Sequence, residues 1–389
     1  MTVREPPHFA YVDAIRGYAF LGVLFSHCAF SFVYFHFNWL FKSGGCGVQL
    51  FFLASAITLY YSMSARHTGQ GLHAFNFYLR RLFRIAPLYW LSMIFYWSVP
   101  DSLQPNFLGM WAPDGVHKSY FLLNALFLHG WFPYMFNSIV PGGWSIAVEM
   151  TFYLVFPFCF FFIKNLRTAF LWVLGGFFFT IVEMYAYHKW HIHIWPNVLD
   201  GRVINMFGQR WFPSQFTIFL IGIFTYFLLK DEVVAPVSKS QFWSCSLMAL
   251  CLMVLVVLWK IGESLFLPTQ LLIALALAGT VISIAGNKVP YAITPAICYL
   301  GKLSYSCYLT HFFALALVTR FLETTLSSHL ILRFPLDTGH SVLNFLLFIV
   351  MSLATLVLTV IFSTITHHLV ENPGIALGRW VIQRLHTRD

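Results

Sequence analysis

A succession of apolar stretches, each about as long as a bilayer is thick, constrains this chain more than any other feature. Polar and Pro-containing punctuation divides the sequence into ten such runs, at 11–35, 46–65, 78–100, 144–164, 169–188, 212–230, 241–260, 265–286, 294–322 and 341–370. A helix needs roughly 20 predominantly apolar residues to cross the hydrocarbon core, whereas a barrel strand needs only about ten. The runs therefore predict an all-α fold, a polytopic membrane bundle of about ten transmembrane helices in a lipid bilayer. Composition points the same way: the chain is 59% hydrophobic and 10% charged, outside the balance of soluble globular domains. The apolar segment Phe121–Phe132 is too short to span and reads as an interfacial or re-entrant helix within the loop 101–143.

No Gly/Ser-rich or Pro-rich linker, isolated charge block or internal repeat divides the chain, so residues 1–389 are expected to form a single transmembrane domain with no appended soluble domain. With the N-terminus inside, 15 of the 23 Lys and Arg residues fall on cytoplasmic ends. That bias predicts both termini in the cytoplasm. It also accounts for the formal charge of +9 without nucleic-acid binding, for which no basic-aromatic signature is present. The first ten residues, with Arg4, Glu5, Pro6 and Pro7, lack the pattern of a cleaved secretory signal, so the first span is expected to be retained. The seven cysteines are scattered with no CxxC pair and read as reduced packing residues. His188, His191 and His193 cluster in a predicted external loop without a clear fourth ligand, and no metal site is assigned.

Polar residues inside apolar helices are costly and usually mark function. Arg16 and His27 both lie in the first run, eleven residues apart, which places them on nearly one helix face with a separation of roughly 16 Å. Arg80, Arg81 and Arg84 stand at the cytoplasmic start of the third run, where three guanidinium forks suit a polyanionic ligand. A positive-inside anchor against anionic lipid is the plainer reading of that cluster. Glu149 lies in the otherwise apolar fourth run, where a carboxylate is protonated, paired or at work; a structural ion pair is its bland alternative. In the ninth run Ser304, Tyr308 and His311 share one face, with Tyr305 beside them, although a lone intramembrane His is more often a packing residue. Gly44, Gly45 and Gly47 precede an aromatic helix; without the Lys-Ser/Thr ending of a phosphate loop they read as a site of close helix packing.

Taken in order, these segments resemble the acyltransferase-3 family of multi-pass membrane acyltransferases, over nearly everything from Tyr11 to Pro373. The resemblance is carried by Arg16-x10-His27, by the glycine-rich turn from Gly44 to Ser55, and by Arg80, Arg81 and Arg84 leading to Pro87 and Tyr89. It continues through Trp144, Ser145, Glu149, Phe152, Tyr153 and Pro157, then Ser304, Tyr305, Tyr308, Leu309 and His311, and closes on Glu371-Asn-Pro373. Two departures are Val-Asp-Ala-Ile-Arg16 where Leu-Asp-Gly-Leu-Arg is usual, and Ala56 where the second helix commonly has Gly.

The resemblance implies O-acylation: transfer of an acyl group, most often acetyl, from acyl-CoA to a hydroxyl of a cell-envelope saccharide. Candidate acceptors are O-antigen lipopolysaccharide, exopolysaccharide, glucan or a lipid-linked saccharide precursor, at a bacterial inner membrane. Acetyl-CoA is then the expected donor, with Arg16, Arg80, Arg81 and Arg84 on its phosphates. His27 is the expected general base or acyl carrier and Glu149 its orienting acid. Ser304, Tyr305, Tyr308 and His311 would serve the oxyanion or the acceptor path. A secondary transporter relaying protons through Arg16, His27, Glu149 and His311 is the alternative of another class.

Overall fold

A computed structural model describes residues 9–30, 37–66, 73–99, 117–195, 201–261, 269–286, 288–329 and 341–386. Among the described residues the regular structure is helical, without a strand. The elements are α1 (Ala10–Phe30), α2 (Gly47–Arg66), α3 (His73–Ser98), α4 (Lys118–Ala125), α5 (Gly143–Phe162), α6 (Leu166–Ile194) and α7 (Gly201–Gly208). There follow α8 (Phe212–Lys230), α9 (Gln241–Ile261), α10 (Thr269–Ala285), α11 (Pro295–Lys302), α12 (Ser304–His329), α13 (Ser341–Thr366) and α14 (Asn372–His386). Shorter helical turns cover Asn38–Lys42, Ser43–Cys46, His129–Trp131 and Ala235–Ser238.

The apolar runs are helices, with informative differences at their ends. α1 ends at Phe30, and residues 31–36 of the expected first span lie outside the described residues. The ninth run is divided at Leu303 into α11 and α12, and the last continues from α13 through a π-helical turn, His367–Glu371, into α14. A π turn inserts one residue into the helical register and re-aims the side chains beyond it; here it turns Glu371 to the interior, where it is 1% exposed. The segment expected to be interfacial holds only the eight-residue α4 and a single 3-10 turn.

Five helical stretches are both long and apolar enough to cross a membrane: Asn38–Ala65, Gly143–Phe162, Leu166–Ile194, Gly201–Lys230 and Val342–Leu385. Length and hydropathy therefore support five spans among the described residues, not ten. The physical reason is visible in α3 and α12, long helices diluted by charged and hydroxylic side chains, several of which face the bundle interior. Outward faces are strongly apolar: Phe178 on α6 is 70% exposed and Val357 on α13 is 59% exposed. On α5, Phe152 and Phe156 point inward while Leu154, Phe158 and Phe161 point out. Such an apolar exterior is stable against lipid, not against water. The protein is a membrane protein.

Because lipid tails solvate apolar side chains as well as other helices do, packing inside the bundle relies on close contact and small residues. A Cβ on Gly44 would lie 2.3 Å from the Gly22 carbonyl oxygen, so the glycine-rich turn is where the chain ahead of α2 touches α1. That matches the close-packing reading of the turn. At Ala56 of α2 the small partner is on the neighbouring helix: a Cβ on Gly222 of α8 would lie 2.8 Å from the Ala56 Cβ. Phe52, Phe219 and Phe152 then stack α2 on α8 and α8 on α5, with centroids 4.7 and 3.9 Å apart. Offset aromatic pairs of this kind contribute about 0.5–1.5 kcal/mol each. They fix the wall on which the polar residues are mounted.

Candidate active site

An open cavity lies where α1, α2, α3, α5 and α12 converge. Arg16, Arg81 and Arg84 line it, together with Ser55, Ser145, Glu149, Tyr153, Ser304, Tyr305 and Tyr308. Arg80 is half-buried but is not among the lining residues. Residues three apart share a helix face as well as residues four apart do, and the turn of α3 presents Arg81 and Arg84 inward.

Each guanidinium of the cavity is held by a neighbour. Arg16 donates from Nη2 to Thr58 Oγ1 at 3.3 Å. Arg81 lies over the rings of Tyr153 and Phe77, at 5.6 and 5.7 Å. Arg84 is ion-paired with Glu371, whose other oxygen accepts from Ser306 Oγ at 2.6 Å and lies 3.1 Å from His367 Nδ1. A buried pair of this kind leaves a costly unpaired charge if either partner is removed. Glu149 Oε1 accepts hydrogen bonds from Ser55 Oγ at 2.7 Å and from the Tyr153 hydroxyl. Glu149 thus shares its cavity with Arg16, Arg81 and Arg84.

His27 and His311 form a second, closely packed cluster. Neither lines the cavity; their rings are 5.3 Å apart, and Phe312 lies against both, at 4.5 and 4.1 Å. His311 is fully buried, with Nδ1 2.7 Å from the Tyr308 carbonyl oxygen and Nε2 without a partner. Between the cavity and that cluster stands a hydroxyl boundary. Ser145 Oγ lies 2.8 Å from the Tyr308 hydroxyl, and the two lie 3.0 and 3.2 Å from the Gly142 carbonyl oxygen. That carbonyl is presented by a left-handed residue, φ +77°, whose N–H donates to Asn137 Oδ1 at 2.8 Å. Tyr308 therefore belongs to both compartments. Tyr305 is committed elsewhere, donating to the Ile85 carbonyl at 2.6 Å.

The loop ahead of α5 supports this boundary from behind. His129 is fully buried, with Nε2 3.1 Å from both the Tyr89 hydroxyl and the Gly143 carbonyl. Burial lowers its pKa to about 4, so the ring is neutral at physiological pH. Two participants escaped sequence reasoning: Ser55 and Thr58. Small hydroxyls on apolar helices are ordinary and carry no local sign of a site.

The family model described as an acyltransferase domain, acyltransferase-3, matches residues 9–364. The chain belongs to that family. Its membership makes the protein an enzyme, an acyltransferase, and sets aside the transporter alternative. This acyltransferase is also similar to the peptidoglycan O-acetyltransferase OatA of Listeria monocytogenes serovar 1/2a, 24% identical over 151 residues. The similarity takes in 38% of this chain and 23% of the relative's length. No solved structure matches the acyltransferase.

Proposed function

We propose that the protein transfers an acyl group, acetyl in the first instance, from acyl-CoA to a hydroxyl of a cell-envelope saccharide. The observation that carries this reading is the junction at Tyr308. One residue lines the arginine-bearing cavity, pairs its hydroxyl with Ser145, and lays its ring 5.7 Å from that of His311, the neighbour of His27. The similarity to an O-acetyltransferase of peptidoglycan supports a saccharide hydroxyl as acceptor.

In this mechanism Arg81 and Arg84 hold the phosphates of the donor, with Arg16 deeper and Arg80 at the rim. Arginine forks match phosphate oxygens two bonds at a time. Glu149 keeps part of that positive charge balanced and orders Ser55 and Tyr153 along the wall. The thioester passes the hydroxyl boundary to reach His27. His27 removes the proton of the acceptor hydroxyl as its oxygen attacks the thioester carbonyl, and returns it to the departing CoA sulfur. We assign all ten apolar runs to spans of a bacterial inner membrane, with both termini cytoplasmic, so that donor and acceptor approach from opposite sides.

Purified protein in liposomes, given radiolabelled acetyl-CoA and envelope polysaccharide, is expected to place label in alkali-labile esters. Absence of labelling from acetyl-CoA, and equally from succinyl-CoA and a longer acyl-CoA, defeats the proposal.

A further inference from the structure

A second cavity opens between the ends of α2, α5 and α8, and it shares no lining residue with the cavity of the arginines. We infer that it binds the phosphate headgroup of an anionic phospholipid, held by Lys164 and Lys230. Lys164 directly follows the last turn of α5, Lys230 closes α8, and Ser64 lies two residues before the end of α2. All three line the one cavity, so three helices end side by side there.

The C-terminus of a helix carries partial negative charge, and the plain role of a lysine at that place is to neutralise the last carbonyls. Here those carbonyls have other partners. The Tyr60 hydroxyl lies 3.1 Å from the Cys159 carbonyl oxygen and 3.4 Å from that of Ile163, and the Asp231 N–H donates to the Phe227 carbonyl at 2.9 Å. Neither Lys164 Nζ nor Lys230 Nζ makes a hydrogen bond or an ion pair among the described residues, whereas Lys239, beyond α8, is bonded to Glu232 at 2.8 Å. The two ammonium groups lie instead over rings of the cavity wall: Lys164 over Phe160 at 4.7 Å, and Lys230 over Phe227 and Tyr226 at 5.7 and 5.9 Å. Their N–H groups are all left for a ligand. The Ser64 and Tyr226 hydroxyls, 3.1 Å apart, share one hydrogen bond between two protons, so one further O–H is left beside them. Two cations and a hydroxyl donor around one opening suit the oxygens of a phosphodiester.

The surroundings favour a lipid over a soluble phosphate. Lys164 Nζ also stands 5.6 Å from the ring of Phe161, which is 68% exposed on the outward face of α5. The ammonium therefore sits at the lip between the cavity and the surface that faces the acyl chains. Leu154, Phe158 and Phe161, at helical spacing, continue that exposed apolar stripe along α5. A phosphate carrying acyl chains satisfies the cations and covers the stripe together, whereas a soluble phosphate satisfies the cations alone.

The test is native mass spectrometry of the full chain in a non-ionic detergent, titrated with phosphatidylglycerol or with phosphatidylcholine of the same acyl chains. Lys164→Gln with Lys230→Gln is compared with wild type and with a control pair on exposed lysines outside the cavity, Lys189→Gln with Lys288→Gln. The wild type is expected to bind one phosphatidylglycerol in preference to phosphatidylcholine. Each lysine near an anionic headgroup contributes roughly a factor of five, so K164Q/K230Q should bind it about 25-fold more weakly. The control pair should bind it as wild type does. Unchanged binding in K164Q/K230Q overturns the inference, and an equal loss in the control pair overturns it in favour of diffuse surface charge. Displacement of the lipid by a tenfold excess of glycerol 3-phosphate or inorganic phosphate makes the ligand a soluble anion and overturns the lipid assignment. If the double variant fails to give a monodisperse peak on size-exclusion chromatography, K164Q and K230Q are read singly, each with an expected loss of about fivefold; no loss in either overturns the inference. None of these readouts requires turnover, so failure of the proposed acyl transfer and failure of this site are distinguishable.

Discussion

The arginine cavity and the histidine cluster are neighbours built on opposite electrostatic plans. In the cavity each of these charged groups has a partner: Arg84 has Glu371, Arg81 two aromatic faces, and Glu149 the hydroxyls of Ser55 and Tyr153. In the cluster, two imidazoles meet without a carboxylate hydrogen-bonded or ion-paired to either of them among the described residues. A compensated site can hold a polyanion without collapsing when the ligand leaves, because its side chains already have partners. An uncompensated one responds to charge that appears only during reaction. Binding and chemistry are thereby assigned to different compartments, and Tyr308 is their common wall.

The sharpest way to break this division is His27→Ala. It is expected to lower transfer by about 10²–10⁴, the range of a lost general base, while acetyl-CoA binding measured by calorimetry on the detergent-solubilised protein stays within twofold. Loss of donor binding in that variant would merge the two compartments into one. Next in size is the Arg84–Glu371 pair. Glu371→Gln leaves the guanidinium facing a neutral amide and is expected to destabilise the fold by about 3–5 kcal/mol, read as a lowered thermal midpoint in detergent. Arg84→Met with Glu371→Leu should restore the midpoint and still weaken donor binding. Restored stability with normal donor binding would make the pair purely structural.

Smaller effects test the boundary itself. Gly142→Ala forces a Cβ into a left-handed conformation and to within 2.9 Å of the Tyr308 hydroxyl. The expected cost is about 1–2 kcal/mol, with a larger relative loss of transfer than of donor binding. Tyr308→Phe removes one neutral hydrogen-bonding group and should cost about 0.5–1.5 kcal/mol of stability. A transfer defect in the second variant with an unchanged KM for acetyl-CoA would place the hydroxyl on the chemical side of the wall.

Much of this was legible in the sequence. The apolar runs located the long helices to within a few residues, because hydrophobic length is a local property of the chain. The polar residues buried in those runs, Arg16, His27, Glu149, Tyr308 and His311, do face interior space, because lipid excludes them from the other face. Three things were not legible. Of the three arginines of α3, Arg81 and Arg84 line the cavity and Arg80 does not, since which of them turn inward depends on how the helix is rotated against its neighbours. Which of its candidate partners Glu149 would meet was open, and it lies in the cavity of the arginines, since which carboxylate meets which cation is a long-range fact. Ser55 and Thr58 carried no signal of their own, because a hydroxyl on an apolar helix looks the same whether it bonds its own backbone or a buried carboxylate or guanidinium.

By itself, then, the sequence determined that the protein is a helical membrane bundle and which of its polar residues are too costly to be idle. Those follow from transfer energies, which each residue carries with it. Only the tertiary structure decided that these residues form two compartments with a hydroxyl wall between them. Pairing is a property of distance across helices, and no spacing along one chain segment encodes the rotation and depth at which two helices meet.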